Sequence, residues 1–349
     1  MATLRDWSPS TAWRACVMLC SVIAVTMATS AAAAPKRPVI IDTDLGSYMD
    51  DTAAILLALQ SPELDVKLIV TATNDTTARA RIMAKYLLAV NRTDVPIGVG
   101  VPGIDTIQTL YDWAGNVNLD TYTEKQGGII YEDGVKAMYD VIMSSPIPVD
   151  IIAIAPPTNF PSLLKRYPEV VPRVHAVRAM IGSIHHGYNN STVPVAEYNA
   201  RLCVECTRSL LSAAWPVAVT PLDTCGVAIL RGESFSALLR GGPAGMAFAE
   251  SWVYLCPRCP LQQCSLSPVL SSGALMDAVA TMMSTSAADG FLEMTALRLV
   301  VTDAGMTVVA KEGGGGSRVD VALTWSGGDV GLSEFLLWLG SSIANQGRG

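Results

Sequence analysis

The sequence predicts one α/β domain built on an open, mostly parallel sheet flanked by helices. Three observations lead there. Short runs rich in Val, Ile and Leu alternate with longer, helix-patterned segments from Val39 to Thr220, the rhythm of strands joined by crossover helices. Polar residues stand where several of these apolar runs stop, beginning with an acidic loop after the first. Residues 35–349 supply enough chain for a single large core.

The elements follow in order. Val39-Ile40-Ile41 is apolar and stops at Asp42. Gly46 permits a sharp turn, and Asp50-Asp51 are placed to cap an apolar helix that reaches Leu59. Leu64 to Ala72 reads as a strand, Thr76 to Val90 as a helix, and Val95 to Val101 as a short strand. Ile104 to Gly128 has no periodicity, and a loop of that length is commonly functional, here a candidate lid. Helix over Tyr131–Met143, strand over Val149–Ala155, helix over Thr158–Tyr167 and strand over Val174–Ile181 continue the pattern. Cys203–Ala214 is helical and Trp215–Thr220 a strand. Two helices are expected at Gly245–Tyr254 and Ser267–Ser284. Phe291 to Thr324 reads as strands interrupted by Gly313-Gly314-Gly315-Gly316, a flexible hairpin tip, and Ser333–Ile343 closes the chain as a helix.

Residues 1–34 do not read as part of this fold. Arg5 and Arg14 form a basic head, Ala15 to Ala28 is an apolar run, and Ser30 to Ala34 offers small residues for cleavage. That is the layout of a secretory signal peptide, and the apolar run is short for a bilayer span. The expectation is a secreted or lumenal protein, with no membrane attachment after cleavage. The formal net charge is −7 and no basic stripe occurs, which argues against nucleic acid as a partner. Of eight cysteines, six lie beyond the signal. In an oxidising compartment they favour disulfides, while Cys203-x-x-Cys206 with Cys256-x-x-Cys259 leaves a four-thiolate zinc site as the alternative. Sequons stand at Asn74, Asn91, Asn189 and Asn190.

The chemistry concentrates in the first loop, where Asp42, Asp44, Asp50 and Asp51 fall within ten residues. Like charges so close need a cation among them, and an all-oxygen ligand set suits calcium or magnesium. One Asp pair at a helix start is explained by capping alone, but two further carboxylates at a strand end are not. In a parallel sheet this loop opens into the crevice at the strands' carboxyl ends.

Asp42-Thr43-Asp44-Leu45-Gly46 with Asp50-Asp51-Thr52 resembles the signature of the inosine-uridine-preferring nucleoside hydrolases, Asp-x-Asp-Pro-Gly-x-Asp-Asp-Ala, with Leu45 for Pro, Thr52 for Ala and two extra residues before Asp50. Ala155-Pro156-Pro157-Thr158-Asn159 resembles their Gly-Pro-Leu-Thr-Asn, Met180-Ile181-Gly182 their Met-Gly-Gly, Ala196-Glu197-Tyr198-Asn199 their Ala-Glu-Phe-Asn, and Met276-Asp277-Ala278 their His-Asp-Pro/Ala. The haloacid-dehalogenase-like phosphatases share only the opening Asp-x-Asp. The resemblance implies a nucleoside-hydrolase-like fold, small-molecule nucleoside substrates, a calcium ion and assembly as a homo-oligomer. It implies Asp44, Asp51, the Thr158 carbonyl and Asp277 as calcium ligands, with Asp44 also taking the proton of the attacking water. Asp50, Asn74, Glu197 and Asn199 are implied as ribose contacts, and His185-His186, between Gly182 and Gly187, as a contact to the base. Met276 replaces a His that in many members protonates the departing base, which leaves a catalytically weak nucleoside- or sugar-binding protein as the competing reading.

Overall fold

In the computed structural model the described residues are 35–103, 107, 109–258, 264–265 and 271–344. The expected signal peptide, residues 1–34, and Cys259 lie outside them.

The first strand, β1 (Arg37–Thr43), is buried on both faces after its first residue, as a central strand of a covered sheet must be. Its side chains alternate between two cores. Val39 and Ile41 face one that includes the helix Asp50–Gln60 and the helix Met276–Met282. Ile40 faces the other, with Met138, Phe160 and Leu163. Next come β2 (Leu64–Thr71), β3 (Ile97–Gly98), β4 (Ile130–Tyr131), β5 (Val149–Ala153), β6 (Val174–Met180) and β7 (Val217–Thr220). The small strands β8 (Ile229–Arg231), β9 (Cys264–Ser265) and β10 (Ser271–Ala274) form a separate antiparallel sheet in the order β8-β10-β9. The chain ends with β11 (Leu292–Val301), β12 (Thr307–Val309), β13 (Ser317–Trp325) and the helix Asp329–Ala344.

Among the described residues the main sheet has ten strands in the order β12-β11-β13-β7-β6-β5-β1-β2-β3-β4. From β13 to β4 the neighbouring strands pair in parallel, while β11 pairs antiparallel with both β13 and β12. The sheet is therefore mostly parallel, as the alternating pattern implied. Connections run outward from β1 through β2, β3 and β4, then return to its other side at β5. That reversal leaves a crevice between the carboxyl ends of β1 and β5.

Several elements differ from expectation. Asp133 accepts a hydrogen bond from the Lys136 amide, so the helix expected from Tyr131 starts at Gly134 and Tyr131 joins β4. The aperiodic stretch 104–128 contains a helix, Leu119–Gln126, capped by Asn118; it is polar on most sides and carries no apolar stripe. The single helix expected over Ser267–Ser284 lies outside the described residues before Ser271, and from there on it is strand β10 followed by the helix Met276–Met282. Ser271-Ser272-Gly273-Ala274 holds its strand conformation by pairing with β8 and β9, not by propensity. The helix expected over Cys203–Ala214 is Val204–Ser212, with Cys203 as its cap residue, and two helices were not expected, Tyr198–Leu202 before it and Gly232–Leu239 after it. Cys203 and Cys206 are joined in a disulfide, so they are not thiolate ligands of a zinc site; Cys256 is disulfide-bonded as well, and Cys225 is free and buried. No helix among the described residues is long and apolar enough to cross a membrane.

Candidate active site

A cavity of about 350 Å³ opens at that crevice. Asp44, Asp50, Asp51, Glu197, Asn199 and Asp277 line it, from three segments far apart in sequence. All six are at most 5% exposed, which places ionisable groups where water screens them poorly.

The acidic loop reaches the cavity because β1 ends there. Gly46 turns the chain with φ +107°, and a Cβ at that position would strike Ile82 Cδ1. The helix then begins with Met49 as its cap residue and no side-chain cap bond, so Asp50 and Asp51 occupy the first helical turn instead of capping it. There their charges suit the helix dipole, and their carboxylates face the cavity. Oxygens of Asp50, Asp51 and Asp277 lie within 4.8 Å of one another. Burial, then repulsion from Asp44, pushes the Asp50 carboxyl up to about 7. Burial and the neighbouring aspartates raise Asp51 and Asp277 as well. Three mutually repelling, buried carboxylates with oxygen ligands only are a chemical fit for one hard divalent cation. Thr43 Oγ1 donates to Asp51 Oδ1 at 2.5 Å, fixing one of these carboxylates from behind.

The opposite requirement, holding a polar ligand, is met by Glu197 and Asn199. Glu197 starts the helix Tyr198–Leu202 and accepts from the amides of Gly182, Asn199 and Ala200 at 2.8–3.0 Å. Burial still raises its carboxyl above the ordinary range. Asn199 Nδ2 donates to the Met180 carbonyl at 3.0 Å and the Ile154 carbonyl at 3.4 Å, tying the ends of β6 and β5 together.

Other expected residues lie elsewhere. Thr158 precedes the helix Asn159–Arg166, with Oγ1 bonded to the Val101 carbonyl, and is not among the residues lining the cavity. Its neighbour Asn159 is fully buried and donates to Asp42 Oδ2 at 2.6 Å and to the Thr71 carbonyl, while accepting from the Val101 amide. Asp42 thus sits behind the site, its carboxyl raised to about 7 by burial. Asn74 donates to the Ile107 carbonyl and accepts from the Asp75 amide, and does not line the cavity. His185 is exposed and His186 half-buried, and neither reaches the cavity wall. The amides of Ile184 and His185 both donate to Asp223, which holds that segment in place.

The sequence reading missed the aromatic wall: Tyr48, Tyr188 and Tyr198 line the cavity with Arg201, whose guanidinium lies over the Tyr198 ring. Met276, read as a replacement for an acid, does line it. It also missed Arg79, fully buried behind the acidic loop. Only Tyr198 stands in a motif; the rest of the wall and Arg79 depend on which segments the sheet brings together.

Comparison with known proteins agrees with this architecture. The chain is 30% identical over 208 residues to the non-specific ribonucleoside hydrolase RihC of Klebsiella pneumoniae, covering 58% of this chain and 67% of that protein. It is 30% identical over 222 residues to the pyrimidine-specific ribonucleoside hydrolase RihA of Escherichia coli, covering 61% and 69%. Its fold is similar to that of an inosine-guanosine nucleoside hydrolase, at TM-score 0.71 and 15% identity over 89% of this chain and 99% of the other. A purine-preferring ribonucleoside hydrolase from Gardnerella vaginalis gives TM-score 0.67 at 17% identity, over 88% and 99%. The family model described as inosine-uridine preferring nucleoside hydrolase matches residues 39–328, and on that match, with the buried carboxylates at the sheet's crevice, the chain belongs to the inosine-uridine preferring nucleoside hydrolase family.

Proposed function

We propose that this protein is a calcium-dependent hydrolase of ribonucleosides, exported through its first 34 residues, that releases free base and ribose. The observation carrying this reading is the group of buried carboxylates on the cavity wall, Asp44, Asp50, Asp51 and Asp277. Asp44, Asp51 and Asp277 would hold the ion; the Thr158 carbonyl, which the resemblance implied as a further ligand, belongs to a residue outside the cavity lining. Asp50, near Asp51 and Asp277, is placed to serve either the ion or a sugar hydroxyl. When bound, calcium balances the buried negative charge and makes a water in contact with it more acidic.

The remaining steps belong to the chain's own residues. Asp44 accepts the proton of the water that attacks the anomeric carbon. The bond to the base breaks as the sugar takes on oxocarbenium character, as in other glycoside hydrolyses. Asn199 spends its amide nitrogen on backbone carbonyls, which leaves its Oδ1 to accept from a ribose hydroxyl. Glu197, locked by three amides, presents a rigid carboxylate to a second hydroxyl, so the sugar enters a pre-oriented site. Asn74 completes the ribose grip only if its side chain leaves the Ile107 carbonyl.

The test is incubation of the protein with a panel of purine and pyrimidine nucleosides, with calcium and with chelator, measuring free base and reducing sugar. Calcium-dependent release supports the proposal. Calcium and ribose binding without cleavage of any nucleoside, or of para-nitrophenyl riboside, would replace it with the binding-protein reading.

A further inference from the structure

We propose that Arg79 is a positioning residue that clamps the ends of β1 and β2 together and thereby presents the acidic loop to the metal. The proposal rests on the calcium-dependent reading above.

Arg79 lies in the first turns of the helix Thr76–Ala89 and is fully buried. A guanidinium removed from water must find acceptors for its donors. Here they are almost all backbone atoms of two loops. Nε donates to the Thr73 carbonyl at 3.1 Å. Nη1 donates to the carbonyls of Asp44 and Leu45, the latter at 2.9 Å. Nη1 and Nη2 both meet Ser47 Oγ, at 3.2 and 3.1 Å. Nη2 also lies 4.0 Å from the Asp44 carboxylate. One planar fork therefore fixes the chain at Asp44, Leu45 and Ser47 and ties it to Thr73, just beyond β2.

The second loop needs such a hold. Thr73 and Asn74 both have φ +53°, in the left-handed region, where a β-branched residue such as Thr is an outlier that persists only under constraint. The Arg79 bond to the Thr73 carbonyl and the Asn74 bond to the Ile107 carbonyl supply constraint from either side. Lysine retains the charge but not the fork, so it cannot span Thr73, Leu45 and Ser47 at once. Arg79 does not line the cavity; it acts through the backbone around Asp44, which does.

The experiment compares the wild type with Arg79→Lys by calcium titration calorimetry, steady-state kinetics with inosine and uridine, and melting in saturating calcium. The clamp predicts calcium binding at least tenfold weaker and kcat at least tenfold lower in Arg79→Lys, with KM changed less than threefold at saturating calcium. Calcium affinity and kcat within twofold of wild type overturn it, whatever happens to the melting temperature, because a purely structural arginine would move melting alone. Should Arg79→Lys not fold, Ser47→Ala decides the question, since it removes only the hydroxyl shared by both terminal nitrogens: calcium binding weakened threefold or more supports the clamp, and unchanged binding overturns it. A wild-type protein that neither binds calcium nor cleaves nucleosides would overturn the nucleoside hydrolase reading, and the clamp with it, whereas an active wild type beside an unaffected variant sinks the clamp alone.

Discussion

On the calcium-dependent reading proposed above, removing the ion should reverse the usual response of stability to alkali. Asp50 carries a carboxyl raised from 3.8 to about 7, and Asp51 and Asp277 are raised beside it. A group whose pKa is raised by folding is protonated in the folded state where the unfolded chain has already ionised. Between the two values the folded form binds more protons, so stability falls as pH rises, and the full penalty is reached above the folded value. A rise from 3.8 to about 7 corresponds to about 4 kcal/mol for one such group, a large share of the 5–15 kcal/mol typical of a folded domain. Urea denaturation at pH 5, 6, 7 and 8 in excess chelator should give midpoints that decline steadily with pH. In saturating calcium the decline should shrink, because the ion compensates the ionised Asp50, Asp51 and Asp277 and binds the folded state alone. Asp42, raised to about 7 behind the site, retains its share in both conditions. A chelated protein as stable at pH 8 as at pH 5 would refute the argument.

Asp277→Asn should abolish calcium binding by calorimetry, yet stabilise the chelated protein at pH 8 by on the order of 1 kcal/mol, because one of three repelling charges is gone. Asn159→Ala removes the partner of Asp42, the Thr71 carbonyl and the Val101 amide together, and should cost about 3 kcal/mol in urea denaturation with the metal bound. Met276→His places a proton donor on the cavity wall; inosine or uridine hydrolysis should rise, by roughly a hundredfold at most, while para-nitrophenyl riboside, whose leaving group needs little protonation, should respond far less.

The parallel part of the fold was legible because β1, β2, β5 and β6 carry apolar runs that packing on both faces demands. β10 was not, since Ser271-Ser272-Gly273-Ala274 has no strand propensity and takes its form from β8 and β9. The helix Leu119–Gln126 escaped because a polar surface helix leaves no periodic trace. At the site, Asp44, Asp50, Asp51, Glu197, Asn199 and Asp277 were all nameable in advance, each within a motif, and the cavity gathers them. Arg79 and Asn159 acquire their roles only through contacts 35 and 117 residues distant, to Asp44 and Asp42 respectively, and local pattern cannot register those. His185 and His186 show the converse case: they stand close in sequence to Gly182, yet neither lines the cavity, and Asp223 accepts from the amides of Ile184 and His185.

The two turns of the C-terminal strands β11, β12 and β13 have opposite consequences for anyone wishing to tag the protein. At the glycine-rich tip, a Cβ added to Gly313 or Gly315 would meet nothing within 4 Å, so an inserted fluorophore-bearing peptide there should report on the molecule without disturbing it. The turn before β12 is different. Gly305 has φ +81° and lies against Arg201 of the cavity wall, and Thr307 Oγ1 accepts from the Ser183 amide while donating to the Ser183 carbonyl. That same segment offers the Gly182 amide to Glu197. A label attached around Gly305 would therefore push on Glu197 and Arg201 together, and could serve as a reporter of cavity occupancy where the first would serve only as a handle.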